Sequence, residues 1–590
     1  MKQSISNKRL IFLVFSLFFV INIISSGGHF DAFDGAETFL VTESMILKHS
    51  AKLYPDVPSI QRLYFGIKTS VATNKAFQNP SCAAVAAVAA VDSAALTPSA
   101  CFDPAHTKLE PMYTFRSLLS AAIAVPFYSA ALIFSLPPIP VVGLFVNSLI
   151  ISLICVVVFC FSLEVYNSRK ISFVLSLIFG VCSFIWPYNT TLQPQPLQTL
   201  CIFTSAYFIY ISTNQSNTGN IIIRNNNSNI VTTTTSNNNK KAYFTGLSAT
   251  GIFTRNKANF FAGSAGLLLG LSVLAHPTSA IVIPGFIAYS FFTSRVNRKT
   301  FASFLIVLAI ILIFISLINY WRFGSIWDFG YGAQGSLSIH KGWEGLVGLI
   351  GSTGSGLIFY FPIAILFPLA LKYVYRRNKW LFFIAIYVFL VFWFFFGTIS
   401  LMEPTGWVGA GCWGPRYLTP TLPFITLSIG VLLIHFKRRV KVLKVLRTIT
   451  IILCAAGFTV NLLGILVWYY YGYDYGRSVE QLGALDSRQT GISDTRQNSM
   501  EVMIWDPSYS PIVLHVKALT SGYVGQIRPG HDAMSYGLAP CGYDLYLFCE
   551  FGPSSMLILL PLIAILGTVI LNEITREYPR KLSSVKSSEL

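Results

Sequence analysis

Apolar runs punctuate the chain from end to end. They lie at 10–25, 141–163, 171–188, 197–213, 259–275, 279–294, 301–320, 354–374, 379–398, 417–436, 446–471 and 553–572. Each approaches the roughly 20 mostly apolar residues that carry a helix across a bilayer. Together they predict about twelve transmembrane helices. The first run is read as an uncleaved span, because the segment after it is rich in chemistry and does not resemble a small-residue cleavage site. Residues 116–135 (RSLLSAAIAVPFYSAALIFS) form a further apolar stretch, but Pro126 interrupts it and Pro137, Pro138 and Pro140 follow. It is predicted to lie in the outer interface, or to dip in and return, and to roof a cavity between the spans.

Composition agrees with an all-α polytopic membrane protein. The chain is 53% hydrophobic and 11% charged, with a mean hydropathy of +0.60. Soluble domains carry about 25% charged residues. The net charge of +18 raises the question of a nucleic-acid partner. Its distribution excludes one. Lys8-Arg9, Arg169-Lys170, Lys240-Lys241, Arg298-Lys299, Arg376-Arg377, Lys437-Arg438-Arg439 and Arg580-Lys581 all fall in alternate loops or at the termini. The positive-inside rule makes that face cytoplasmic, so both termini are cytoplasmic and the protein is a multi-pass protein of the plasma membrane. Had 116–135 crossed, Arg169-Lys170 would fall outside. Segments 26–140, 321–353, 399–416 and 472–552 are then external.

The expected organisation is a transmembrane catalytic region over 1–471, with the external loop 26–140 and its interfacial helices. An Asn-rich cytoplasmic loop, 214–258, reads as a disordered linker over 214–241. The segment 472–552 is an external loop or small domain, and 553–590 holds the last span and a basic tail. Of ten cysteines, five are external: Cys82, Cys101, Cys412, Cys541 and Cys549. Proximity in sequence favours Cys82–Cys101 and Cys541–Cys549, although connectivity does not follow from sequence.

A transporter would place ionisable groups and broken helices in mid-membrane. The polar and aromatic concentrations lie instead at the outer ends of the spans. They include Asp31, Asp34 and Glu37 after the first run, WPYNTTLQPQP (186–196), AHPTS (275–279), NYWRFGSIWDFGYG (319–332), WVGAGCWGPRYLTP (407–420) and IWDPSYSPIVLH (504–515). Several loops therefore assemble one site at the external membrane surface. Asn189-Thr190-Thr191 is also a glycosylation-type sequon on that face.

These stretches, in this order, resemble prokaryotic members of the GT-C glycosyltransferase superfamily, the class of the protein O-mannosyltransferases and the lipid A aminoarabinose transferase. DGAETFLVTESMIL is similar to the acidic first external loop, SLLSAAIAVPFY to the juxtamembrane helix, and GVCSFIWPYNTTLQPQPL to the exit of the third span. NYWRFGSIWDFGYG with GLVGLIGSTGSGLIFYFPI is similar to the central external loop, and GCWGPRYLTPTLPF to a Trp-Gly-Pro-Arg-Tyr signature. His276 stands where the family carries an arginine before the proline.

The resemblance implies a polyprenyl-phosphate-linked sugar donor and transfer, with inversion, to an acceptor (protein, lipid or glycan) outside the cell. Asp34, at the family's acidic position, is the candidate general base, with helix N-capping as its competing role. Glu37 is a neighbour that tunes Asp34 or binds acceptor. Arg416 and then Arg322 are the candidate phosphate groups, against snorkelling at span ends. His276, Arg116, Lys341 and the ring of Tyr417 complete the candidate substrate site. Trp407 and Trp413 are further stacking candidates, with an interfacial aromatic belt as the plainer role. No cofactor is required; a divalent metal on Asp31, Asp34 and Glu37 is the alternative. The competing functions are a transporter or flippase of lipid-linked sugars and an oligosaccharide ligase. A flippase needs no base.

Overall fold

The computed structural model describes residues 2–30, 33–54, 58–59, 113–226, 251–294, 298–330, 337–338, 342–398, 400–401, 406–409, 412–435, 441–469, 502–521 and 543–575. The chain is a bundle of helices. In order they are α1 (Lys2–Ile24), α2 (Phe33–Leu47), α3 (Leu118–Ile133), α4 (Pro138–Tyr166), α5 (Arg169–Cys182), α6 (Pro194–Asn226), α7 (Gly251–Ala275), α8 (Ile283–Thr293) and α9 (Arg298–Phe323). Then come α10 (Gly342–Gly351), α11 (Phe367–Arg377), α12 (Lys379–Thr398), α13 (Leu422–His435), α14 (Lys441–Leu466), α15 (Pro511–Thr520), α16 (Tyr546–Phe551) and α17 (Pro553–Thr575). A two-residue antiparallel pairing joins Leu337–Ser338 to Ser400–Leu401.

Eight helices among the described residues are long and apolar enough to cross a membrane. They are Asn7–Ile24, Pro138–Tyr166, Asn256–Ala275, Arg298–Phe323, Lys379–Thr398, Arg416–Ile434, Lys441–Leu466 and Pro553–Thr575. The protein is therefore an all-α membrane protein. Four predicted runs take other forms. Run 171–188 ends early, because α5 stops at Cys182 and a 3-10 turn, Trp186–Thr190, follows. Run 197–213 lies within α6, whose first turns carry Gln195, Gln198 and Thr199. Run 279–294 divides into the turn Pro277–Val282 and α8. Run 354–374 breaks at Pro362 into Leu357–Tyr360, Pro362–Leu366 and α11. Proline removes a backbone donor and clashes with the preceding turn, so runs 171–188, 279–294 and 354–374 pass through 3-10 turns at Trp186–Thr190, Pro277–Val282 and Pro362–Leu366.

Burial separates a core from a rim. Over an 18-residue apolar stretch, the span Arg416–Ile434 is 89% buried, against 17% for Arg298–Phe323 and 6% for Pro553–Thr575. The first is a central helix; the other two turn most of their surface outward, as lipid-facing helices do. Glycines set the closest approaches. A Cβ on Gly266 of α7 would lie 2.3 Å from the Phe304 carbonyl of α9, the small-residue contact that lets membrane helices pack tightly.

Two expectations are corrected. Residues 214–226, read as disordered linker, continue α6 to Asn226. Extending a formed helix is far easier than starting one. Asn189, read as a sequon on the outer face, is fully buried, and its Nδ2 donates to the Asn22 carbonyl at 2.8 Å and to Ser25 at 3.0 Å.

Segment 116–135 forms α3, sixteen residues with Pro126 inside, capped by Ser117 and packed on α2, α4 and α7. The described parts of 472–552 dock on the bundle. Gly354 N–H donates to the Ile504 carbonyl at 3.0 Å, α15 packs against α14, and Asp544 N–H donates to the Leu466 carbonyl at 3.2 Å. Cys549 is disulfide-bonded; Cys541, its expected partner, and both Cys82 and Cys101 lie outside the described residues. Cys412 is a buried free thiol.

Candidate functional site

The site begins with the first turn of α2. Asp34 lies there, where a carboxylate also benefits from the helix dipole. Its side chain does not cap the helix. Oδ1 takes Arg116 NH1 at 2.8 Å and Oδ2 takes Arg416 NH1 at 3.2 Å. Arg116 also donates its Nε to Glu37 Oε2 at 2.5 Å. One guanidinium, on the approach to α3, thus ties together both acidic residues of α2. Glu37 is buried.

Gly35 makes this placement possible. A Cβ there would lie 2.1 Å from the Thr191 carbonyl oxygen, so the first turn of α2 rests directly on the backbone that follows the Trp186–Thr190 turn.

Arg416 opens the central span. Besides Asp34 it reaches the Tyr417 hydroxyl through NH2 at 3.2 Å and the Cys412 sulfur through NH1 at 3.6 Å. Cys412 in turn accepts from Gln193 Nε2 at 3.0 Å. Gly409, at φ +84°, folds over the Arg416 side chain, which a Cβ would strike at 2.8 Å. Gly409 thus lets the backbone pass close over the Arg416 side chain.

His276 caps the turn Pro277–Val282, with Nδ1 2.7 Å from Thr278 Oγ1. Burial, then the nearby Arg416 guanidinium, pulls the imidazole down to about 4. It is neutral at neutral pH. Burial by itself pushes the Asp34 carboxyl up, but Arg116 and Arg416 more than reverse that and hold it below its ordinary value. Asp34 is an anion throughout the physiological range.

A small cavity of about 40 Å³ meets Asp34, Arg116, His276, Asn319 and Arg322, with Thr38 and Ser117 among its polar edges. These come from the start of α2, the approach to α3 and the C-terminal ends of α7 and α9. Arg322 sits in the last turn of α9, donates to the Thr114 carbonyl, and lies 4.6 Å over the Phe323 ring. Among the described residues it has no carboxylate partner.

The structure thus brings together Asp34, Glu37, Arg116, Arg416, His276 and Arg322. Tyr417 is drawn in differently. Its ring stacks on Phe396 with centroids 3.9 Å apart and is buried, so the phenol supports Arg416 and its face is covered. Trp413 packs on Tyr360 and His515, and Trp407 on Trp505; neither lines the cavity. Asp31 and Lys341 lie outside the described residues. Among the described residues, no group of three or more His, Cys, Asp or Glu side chains could hold a metal ion. Asp34 and Glu37, from the alternative metal set, face guanidiniums instead.

Sequence reading missed Asn319, Gln193 and Cys412. Asn319 carried a signal: it is an amide at the end of an otherwise apolar run. No family model matches the chain, and no curated protein matches it.

Proposed function

We propose that the protein transfers a sugar from a polyprenyl-phosphate donor to an acceptor on the external face of the membrane, as a twelve-span enzyme of the GT-C kind with both termini cytoplasmic. One observation carries the reading. Asp34 is an ionised carboxylate held between two guanidiniums, in a cavity at the ends of membrane helices. The acceptor hydroxyl or amide attacks the anomeric carbon while its proton passes to the Asp34 carboxylate. The bond from that carbon to the phosphate oxygen breaks, and its electron pair leaves with the lipid phosphate. Nothing becomes covalently attached to the enzyme.

The guanidiniums act twice. They fix Asp34 as an anion, and they offer charge to the leaving phosphate. An entering phosphate competes with Asp34 for Arg116 and Arg416, which raises the proton affinity of the carboxylate when the donor is seated. His276, being neutral, adds no competing charge.

The test is transfer from labelled polyprenyl-phosphate hexoses in native-like membranes by wild type, Asp34→Asn and Arg416→Ala at matched expression. Transfer by wild type with roughly a hundredfold or greater loss in Asp34→Asn supports the base. Intact transfer by Asp34→Asn sinks that assignment. Movement of labelled lipid across the bilayer without transfer favours a flippase. Transfer only from donors bearing a preassembled glycan favours an oligosaccharide ligase.

A further inference from the structure

Asn319 stands one helical turn before Arg322 on α9, so both side chains leave the same side of the helix. It is 3% exposed and lines the cavity beside Asp34. Its Nδ2 is buried with no hydrogen-bond partner, and so is the Nε of Arg322. The other buried asparagine amides among the described residues behave differently. Asn147, Asn189 and Asn461 each donate to a backbone carbonyl, at 2.9, 2.8 and 3.0 Å, and Asn22 donates to the Ser152 hydroxyl at 3.2 Å. A buried donor left unpaired is costly, so two of them, on two residues that line a single cavity, are a standing demand for acceptor oxygens.

The charges say what kind of molecule supplies them. Arg116 and Arg416 each engage a carboxylate, whereas Arg322 has none among the described residues. Among the described residues, the positive charge without a carboxylate at this wall of the cavity is therefore that of Arg322, and an anionic ligand would balance it. Asn319 adds a directed donor without cancelling that charge, which an aspartate would do.

We propose that Asn319 Nδ2 and Arg322 Nε form one donor subsite that grips an oxygen of an anionic lipid-linked headgroup, with Asn319 as a specificity-determining residue. This rests on reading the cavity as a lipid-linked sugar site. The oxygen belongs to the phosphoryl group or to a hydroxyl of the attached sugar. Both are acceptors, and the test separates them.

The experiment titrates the full chain in nanodiscs with undecaprenyl phosphate and with undecaprenyl-phosphate mannose, comparing wild type, Asn319→Leu and Asn319→Asp. Asn319→Leu is expected to weaken binding roughly tenfold or more, and Asn319→Asp further. Equal loss for both lipids assigns a phosphoryl oxygen. Loss confined to the mannosyl lipid assigns a sugar hydroxyl. Either supports the subsite. Ligand-free Asn319→Leu is expected to melt no lower than wild type, because it removes an unpaired amide. Undiminished binding by Asn319→Leu, or a clearly lowered ligand-free melting temperature, overturns the subsite. Failure of wild type to bind either lipid overturns the reading of the cavity itself.

Discussion

Asp34 Oδ2 lies 3.2 Å from Arg416 NH1 across 382 positions of sequence. The contact joins the start of α2 to the mouth of the central span, and each partner fixes the other. Asp34→Asn and Arg416→Ala should then fail as a unit in the transfer assay. Each single change is expected to cost on the order of a hundredfold, and the double change to add less than tenfold to either. Losses that simply multiply would show that the two residues act separately.

Arg116 is the member of this group that touches both carboxylates. Arg116→Lys keeps the charge but has no fork to serve Asp34 and Glu37 at once. Transfer is expected to fall about tenfold to a hundredfold, with the helical signal in circular dichroism unchanged. An Arg116→Lys enzyme as active as wild type would show that the bridging geometry is dispensable.

The reach of sequence reading differs between fold and site for a physical reason. Hydrophobic length and loop charge report the solvent each segment meets, so the spans that became α1, α4, α7, α9, α12, α14 and α17 were legible. Asp34, Arg416, His276 and Arg322 were legible as polar groups at span ends. Their pairing was not, because no local pattern records a contact between the first loop and residue 416. Tyr417 misled in the same way: an aromatic at a span end looks alike whether it faces a sugar or, as here, Phe396. The breaks at Pro187, Pro277 and Pro362 were present as prolines, yet hydropathy averages over them, so three of the runs read as unbroken helices.

His276 gives the fold a pH dependence of definite sign. Its folded value is about 4, against an ordinary value near 6.5, because burial and then Arg416 disfavour the imidazolium. The unfolded chain takes up that proton first. The stability contributed by neutral His276 is therefore complete above pH 6.5 and is lost as pH falls from there through about 4. Asp34, lowered from 3.8, adds its own loss only below that value. Melting temperature followed from pH 8 to 4 should decline below 6.5 in wild type and decline less in His276→Gln. Parallel curves for the two proteins would remove His276 as the cause.

Gly35→Ala sets two effects against each other. Alanine is the better helix former, by roughly 0.8–1 kcal/mol. The new methyl would lie 2.1 Å from the Thr191 carbonyl oxygen, which is backbone and cannot swing aside. Overpacking of this sort typically costs 1–3 kcal/mol. The clash is expected to win, lowering the melting temperature and reducing transfer as Asp34 is carried away from Arg416. A stabilised Gly35→Ala protein would show that α2 does not rest on residue 191.

His29 Nε2 and Asp544 Oδ1 are 2.5 Å apart and nearly inaccessible to solvent. The pair fastens the end of the 472–552 segment to the exit of α1, beside the Tyr546 N–H to Ser26 carbonyl bond of 3.0 Å. Gly27 leaves room for it, since a Cβ there would meet Asp544 at 1.8 Å. Removing one member takes a hydrogen-bond partner from a buried polar or charged group, at a cost of about 1–3 kcal/mol or more. His29→Leu or Asp544→Leu should therefore destabilise strongly. The double change to leucine should recover part of the loss, because the Asp544 carboxyl is then no longer buried without His29. Hydrogen exchange across 543–551 should rise in each single variant before the bundle itself melts. If exchange there stayed at the wild-type level while α1 and α4 opened instead, the pair would be stabilising the bundle core and not the docking of this segment.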